Sequence, residues 1–184
     1  ALLLKVPADI DPHALNQAIA AFVQHHDTLR LAFTRDDEGW QQTYVQLQDP
    51  LDLLEVVTLQ DTNPSQSIND HAQRLQASFD LTKPPLVRTA LFQLPHTAEA
   101  RLLLVFHHLI IDGVSWRILL DELPQAYATC RTGKTPGFAP KTTSFQDWTQ
   151  HLLKAAMSTG VQDSLPAWQK MLNPEGLIQF PSIQ

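Results

Sequence analysis

Residues 101–120 read RLLLVFHHLIIDGVSWRILL and join three kinds of local pattern in one stretch. The apolar run over 102–106 is typical of a β-strand. Two adjacent histidines follow it, and Asp112-Gly113 then marks a turn. Beyond the turn, apolar residues recur at helical spacing. The stretch therefore predicts a strand, a turn and a helix, with histidine presented where the strand ends.

The rest of the chain alternates predicted strands and helices around this unit. Asp11 is a good N-cap and Pro12 suits a first helical turn, so a helix is expected to begin there. The strands predicted at 86–94 and 101–108 are joined by too few residues for a crossover, which requires antiparallel pairing. We therefore predict an α/β fold with a mixed, mainly antiparallel sheet flanked by helices. The other predicted strands are 2–6, 29–35, 40–47 and 53–59, and the predicted helices are 11–26, 63–79, 115–131, 144–156 and 163–172.

Composition excludes several classes of protein. The 184 residues are 43% hydrophobic and 17% charged, which is typical of a globular chain that can bury a core. A net charge of −6 argues against a nucleic-acid partner, and no apolar run reaches the roughly 20 residues that span a bilayer. Cys130 is the only cysteine, which excludes an internal disulfide and suits a reducing cytoplasm. We expect a cytoplasmic protein with no membrane partner.

His107 and His108 are the candidate reactive residues. Successive side chains on a strand point to opposite faces, so only one of the two can address a given substrate. Histidine is the side chain whose ordinary pKa lies nearest neutrality, which suits a general base. A metal site would need a third ligand and both rings on the same side, and the pattern supplies neither. The residues alone leave open which histidine is catalytic and which is structural.

Asp112 has two possible roles in this pattern. It could orient a histidine as in a catalytic triad, but the chain has no Gly-x-Ser-x-Gly nucleophile turn, and Ser115 is expected to begin a helix facing elsewhere. The favoured interpretation is a structural carboxylate held in an ion pair, for which Arg30 and Arg117 are the candidate partners. The second histidine pair, His25-His26, ends the first predicted helix, where interaction with the helix dipole is sufficient explanation.

Two motifs resemble those of the condensation superfamily of nonribosomal peptide synthetases. One is His107-His108-x-x-x-Asp112-Gly113, similar to the active-site signature of that superfamily. The other is His25-His26-Asp27-x-Leu29-Arg30-x-x-Phe33, similar to an earlier element. The resemblance implies a lobe with a fold like that of chloramphenicol acetyltransferase. It covers residues 1–184, expected to be an N-terminal lobe truncated at both ends, since Ala1–Val6 resembles a strand in progress and Phe180–Gln184 has no terminating element.

Position by position, the resemblance implies a role for each motif residue. His108 would be the catalytic histidine and His107 the structural one. Asp112 would be a structural carboxylate paired with Arg30. Gly113 would leave backbone room beside a substrate tunnel.

The continuation of the signature, residues 114–119, most resembles the epimerization branch, as does Lys141-Thr142-Thr143-Ser144-Phe145-x-x-Trp148. This implies epimerization of an aminoacyl or peptidyl thioester on the phosphopantetheine arm of a peptidyl carrier protein, within the biosynthesis of a secondary metabolite such as an antibiotic. No cofactor would bind directly. The partners would be the carrier, neighbouring synthetase domains and a C-terminal lobe that supplies a second acid/base.

Three alternatives stay open at the level of sequence. The same residues could serve amide-bond formation between two carrier-bound substrates, as in a condensation domain. The lobe could instead be a non-catalytic docking surface for the carrier protein. An acyltransferase that uses free coenzyme A is ranked last.

Overall fold

The computed structural model describes residues 1–60, 63–94 and 97–172. The chain divides into two units, residues 1–140 and 141–184. In the first unit the strands are β1 (Leu2–Pro7), β2 (Leu31–Asp36), β3 (Gly39–Tyr44), β4 (Leu54–Thr58), β5 (Val87–Gln93) and β6 (Glu99–Phe106). The helices are α1 (Pro12–His25), α2 (Pro64–Ala77) and α3 (Ser115–Cys130), and Asp27–Arg30 forms a 3₁₀ helix.

The main sheet has the order β1-β6-β5-β4. The strand pairs β1–β6 and β5–β6 are antiparallel, whereas β4 runs parallel to β5. Helix α2 connects that parallel pair, because parallel neighbours need a crossover connection. Strands β2 and β3 form a separate antiparallel hairpin. The predicted mixed, mainly antiparallel α/β fold is confirmed.

Successive side chains of the central strands β5 and β6 point to opposite faces of the sheet, so the hydrophobic core has two layers. Leu102, Leu104 and Phe106 of β6 belong to the layer that contains α1 and α3. Leu103 and Val105 of the same strand belong to the layer that contains α2. Strand β6 therefore reads as a continuous apolar run, because both of its faces are covered by helices.

The first helix follows the predicted pattern. Asp11 Oδ1 accepts hydrogen bonds from the backbone amides of His13 and Ala14, and Pro12 stands at the first helical position. These contacts satisfy amides that have no partner within the helix. The buried residues of α1 share one face: Ala14, Leu15, Ala18, Ile19, Phe22 and Val23.

Several predicted boundaries differ from the structure. The strand predicted from Leu29 begins at Leu31, because the 3₁₀ helix occupies the preceding residues. The strand predicted to reach His108 ends at Phe106, where a turn begins. The next predicted strand after the hairpin turn ends at Tyr44 rather than Leu47.

The second unit contains α4 (Phe145–Ala156) and α5 (Thr159–Met171), which contact each other. Helix α5 begins four residues before its predicted start, after Ser158 at the N-cap. Neither helix has a buried residue. No helix in the described ranges is long and apolar enough to cross a membrane.

Candidate active site

The two adjacent histidines lie where β6 ends and a turn begins, and their side chains have different surroundings. The His107 amide donates to the carbonyl of Leu86 at 3.0 Å, and the His107 carbonyl accepts from Ile110 N at 3.0 Å. The His107 ring lies edge-on to Phe79, with 5.7 Å between ring centroids. The His108 side chain is instead exposed. The two rings therefore have different surroundings, one against the protein and one open.

A backbone hydrogen bond holds the ring of the half-buried His107. The amide of Leu109 donates to His107 Nδ1 at 3.2 Å, so Nδ1 is an acceptor without a proton. The His107 ring is thus tied to its own turn. The structure records no hydrogen bond from the His108 ring to any residue that it describes, and the ring is available to an external group.

Asp112 links the turn to the helix that follows. Its Oδ1 accepts from the amide of Ser115 at 2.8 Å and from the hydroxyl of Ser115 at 2.7 Å. These hydrogen bonds hold the pKa of Asp112 below its ordinary value of 3.8. Asp112 O also accepts from the amide of Trp116 at 3.2 Å. The carboxylate therefore stabilises the first turn of α3.

The predicted ion pair between Arg30 and Asp112 is not formed. Arg30 Nη2 donates to Asp27 Oδ1 at 2.5 Å, and Arg30 Nη1 donates to the carbonyl of Val45 at 3.5 Å. The 3₁₀ helix brings Asp27 next to Arg30 at a spacing of three residues, so the Arg30 guanidinium forms its ion pair with this local carboxylate. Asp112 is exposed and engaged by Ser115 instead. Arg117, the other candidate, is exposed on α3.

Gly113 has open space around it. A Cβ placed at this position would meet no atom of the structure within 4 Å, and its φ is not positive. Neither packing nor backbone conformation within the described chain therefore requires glycine here. The neighbouring apolar side chains are also exposed: Leu109 by 51%, Val114 by 68% and Ile118 by 47%.

The earlier histidine pair lies against α3, and His26 lines a cavity together with Ile110, Ile111 and Ser115 of the active-site turn and the start of α3. His26 Nε2 and Glu122 Oε2 are 2.7 Å apart. His25 stacks on Phe138 with ring centroids 4.7 Å apart, and His26 lies 4.2 Å from Phe22. A dipole interaction at the helix end does not account for these contacts, which depend on α3 and on the loop after it.

Sequence reasoning missed two partners in this region. Ser115 begins a helix as predicted but faces Asp112, and the tendency of an aspartate to accept hydrogen bonds from the backbone a few residues further on is a local signal that could have paired them. Glu122 was undetectable as a partner of His26, because the two residues lie 96 positions apart.

Comparisons with known proteins agree on one family. The model of the family described as Condensation domain matches residues 1–184. A linear gramicidin synthase of Brevibacillus parabrevis is 39% identical over 172 residues, which is 92% of this chain and 3% of that protein. The chain thus spans a small part of this relative.

Solved structures show the same likeness. The epimerization domain from the third module of tyrocidine synthetase B matches with a TM-score of 0.86 and 29% identity, over 98% of this chain and 41% of that one. The first condensation domain of the CDA synthetase matches with a TM-score of 0.74 and 23% identity, over 98% and 45%. The second likeness concerns the fold alone. The predicted fold class, similar to that of chloramphenicol acetyltransferase, is confirmed.

Proposed function

We propose that this chain, which belongs to the condensation-domain family of nonribosomal peptide synthetases, is the N-terminal lobe of an epimerization domain. Its substrate would be an aminoacyl or peptidyl thioester on the phosphopantetheine arm of a peptidyl carrier protein. The observation that supports epimerization is the likeness to the tyrocidine synthetase epimerization domain, which extends over nearly the whole chain. The remainder of the active site would come from a C-terminal lobe.

His108 is the proposed acid/base. A thioester makes its α-hydrogen more acidic than an amide does, and a histidine ring placed beside that hydrogen can act as its general base. The exposed His108 ring accepts the α-proton as the C–H electron pair moves into an enolate. The C-terminal lobe returns a proton to the opposite face, and the stereocentre is inverted with no net gain or loss of atoms.

The surroundings of His108 support a substrate at this turn. Gly113 leaves open space where a side chain would otherwise project, and exposed apolar side chains flank it. The thioester and the methylene groups beside it are apolar, so they would cover part of these side chains on binding. His107 is proposed to hold the turn, since its ring accepts the Leu109 amide. Arg30 is proposed to support the site from the 3₁₀ helix through Asp27.

Isotope exchange tests the assignment directly. A complete protein that contains this lobe is given a carrier loaded with an L-aminoacyl thioester in heavy water, and deuterium at the α-carbon is followed. We expect His108→Ala to slow incorporation by about 10²–10⁴-fold. His13→Ala changes an exposed histidine of α1 and should leave the rate unchanged. Undiminished exchange in folded His108→Ala protein would refute the role of His108.

Condensation is the second candidate function, favoured by the family model, which is described as a condensation domain. In that case wild-type protein would give no α-deuteration but would form an amide once a second loaded carrier is added. A lobe used only for docking would give a third result, in which His108→Ala changes neither product nor carrier binding.

A further inference from the structure

We propose that His26 and Glu122 form a positioning pair that holds α3, and with it the turn over residues 107–113, in the geometry the reaction needs. The pair joins the earlier histidine motif to the helix that follows the active-site signature. This inference rests on the proposed function of the His108 turn. Neither residue would touch the substrate.

Two polar links join α1 and α3, one near each end of α1. At the start of α1, the amide of Asp11 donates to Tyr127 Oη at 3.0 Å. At its end, His26 and Glu122 are 2.7 Å apart, with 28% and 23% of their side chains exposed. Because the start of α1 meets the later part of α3, the helices run antiparallel. The His26–Glu122 link is therefore the one nearer the active-site turn.

Packing between the segment that follows α1 and the active-site turn is incomplete. A partly open cavity of about 80 Å³ lies between them, with His26, Thr28 and Leu29 on one wall and Ile110, Ile111 and Ser115 on the other. Atoms that face a cavity lose the dispersion contacts that would otherwise fix their separation. The distance between the two walls consequently depends more on the polar link beside the cavity.

The His26 ring is already oriented for this contact. It packs at 4.2 Å from the Phe22 ring and lies edge-on to His25 at 4.9 Å. Phe138 closes the other side at 6.2 Å. An ionised carboxylate only accepts hydrogen bonds, so in this contact His26 Nε2 is the donor and Glu122 Oε2 the acceptor. Little side-chain freedom is left to lose when this hydrogen bond forms.

A continuous chain of contacts leads from Glu122 to the turn. Glu122 lies on α3, and Ser115 at the start of α3 donates twice to Asp112. Trp116, in the first turn of α3, packs edge-on against Phe106 at 5.0 Å, at the end of β6. A shift of α3 would therefore move the turn, which carries the two histidines, relative to the end of β6.

Matched variants separate positioning from general stability. In the complete protein, Glu122→Ala removes the link near the turn, and Tyr127→Phe removes the acceptor for Asp11 at the other end. Small displacements of reacting groups cost up to about 100-fold in rate, so we expect Glu122→Ala to lower kcat for α-deuteration by about 10- to 100-fold, with KM within about 2-fold. Tyr127→Phe should lower Tm and leave kcat unchanged.

Rescue by conservative variants gives a second test. Glu122→Gln keeps an oxygen acceptor for His26 and should recover most of the lost kcat. His26→Phe keeps the ring contacts but has no donor, and it should reproduce the loss even if Glu122→Ala fails to fold. The proposal is overturned if folded Glu122→Ala or His26→Phe protein retains wild-type kcat, or if Tyr127→Phe lowers kcat as much.

Failure of the positioning role can be told apart from failure of the proposed epimerization. Absence of exchange in wild-type protein would refute epimerization, and the same variants would then be compared in amide formation. The pair is proposed to hold the turn whichever reaction the site performs. We therefore expect the variants to rank in the same order when kcat is measured for amide formation. Equal amide-forming rates in all variants would refute the positioning role.

Discussion

The two adjacent histidines show how position alone separates two identical side chains. His107 donates its amide to the carbonyl of Leu86, the residue before β5, and its ring is held by the Leu109 amide. His108 has passed into the turn and is exposed. A general base must meet its substrate directly, whereas a ring that already accepts a backbone amide serves the turn. The catalytic role of His108 stays a prediction that isotope exchange can decide.

Asp112 should contribute to stability in a pH-dependent way. Its pKa is depressed in the folded protein, so its contribution is present above the unfolded value near 3.8 and is lost as the pH falls through the folded value. We expect Asp112→Ala to lower Tm at pH 7, because both hydrogen bonds from Ser115 are lost. Asp112→Asn should lower it less, since an amide oxygen still accepts. Thermal unfolding from pH 7 to pH 2 measures the difference.

The Tm difference between wild type and Asp112→Ala should shrink as the pH falls below 3.8. Asp9→Ala, at another exposed aspartate, is the control and should leave Tm unchanged. A Tm difference for Asp112→Ala that is constant at all pH values would contradict the role of the carboxylate charge.

At the scale of elements, β5 is the strand on which both core layers depend. Phe92 has no exposed surface and lies in the layer beneath α2, where the His71 ring meets it edge-on at 5.2 Å. Phe92→Ala should cost about 3–5 kcal/mol of unfolding free energy, through lost burial and the cavity left behind. Denaturant unfolding monitored by circular dichroism would measure it.

Trp40→Ala is the matched control for Phe92→Ala. Trp40 is another large aromatic in a strand, but it is exposed on the hairpin. Its removal should change the unfolding free energy by no more than about 0.5 kcal/mol. Comparable losses in the two variants would show that the layer beneath α2 does not have the packing described.

At the scale of the whole molecule, the hydrophobic core belongs to the first unit. In the described ranges the buried hydrophobic residues all lie between Ala14 and Cys130. We therefore expect residues 1–140 to fold without residues 141–184, with a Tm within about 5 °C of that of the longer chain. Scanning calorimetry and near-ultraviolet circular dichroism of the two proteins provide the comparison.

A shorter truncation, residues 1–112, is the control for that comparison. It removes α3 and its buried residues Leu119, Leu123, Ala126 and Cys130, so it should lose cooperative unfolding. The prediction is contradicted if residues 1–140 also unfold without a cooperative transition.

Local patterns in the sequence predict the helices and strands and identify the motif residues. The cap at Asp11, the apolar periodicity of α1 and the short connection between β5 and β6 are local signals, and local signals predict helices, strands and antiparallel pairing. The resemblance of the His107–Gly113 signature likewise identified the family that the comparisons confirm. Each of these features is encoded within a few neighbouring residues.

Which side chains meet depends on the tertiary structure. That structure pairs Arg30 with Asp27 rather than with Asp112, and it brings Glu122 to His26 across 96 positions of sequence. It also ended β6 at Phe106, which placed His108 in a turn. Such pairings depend on how α1, α3 and the sheet pack together, because a charged group bonds with whichever partner the packed elements bring within hydrogen-bond distance.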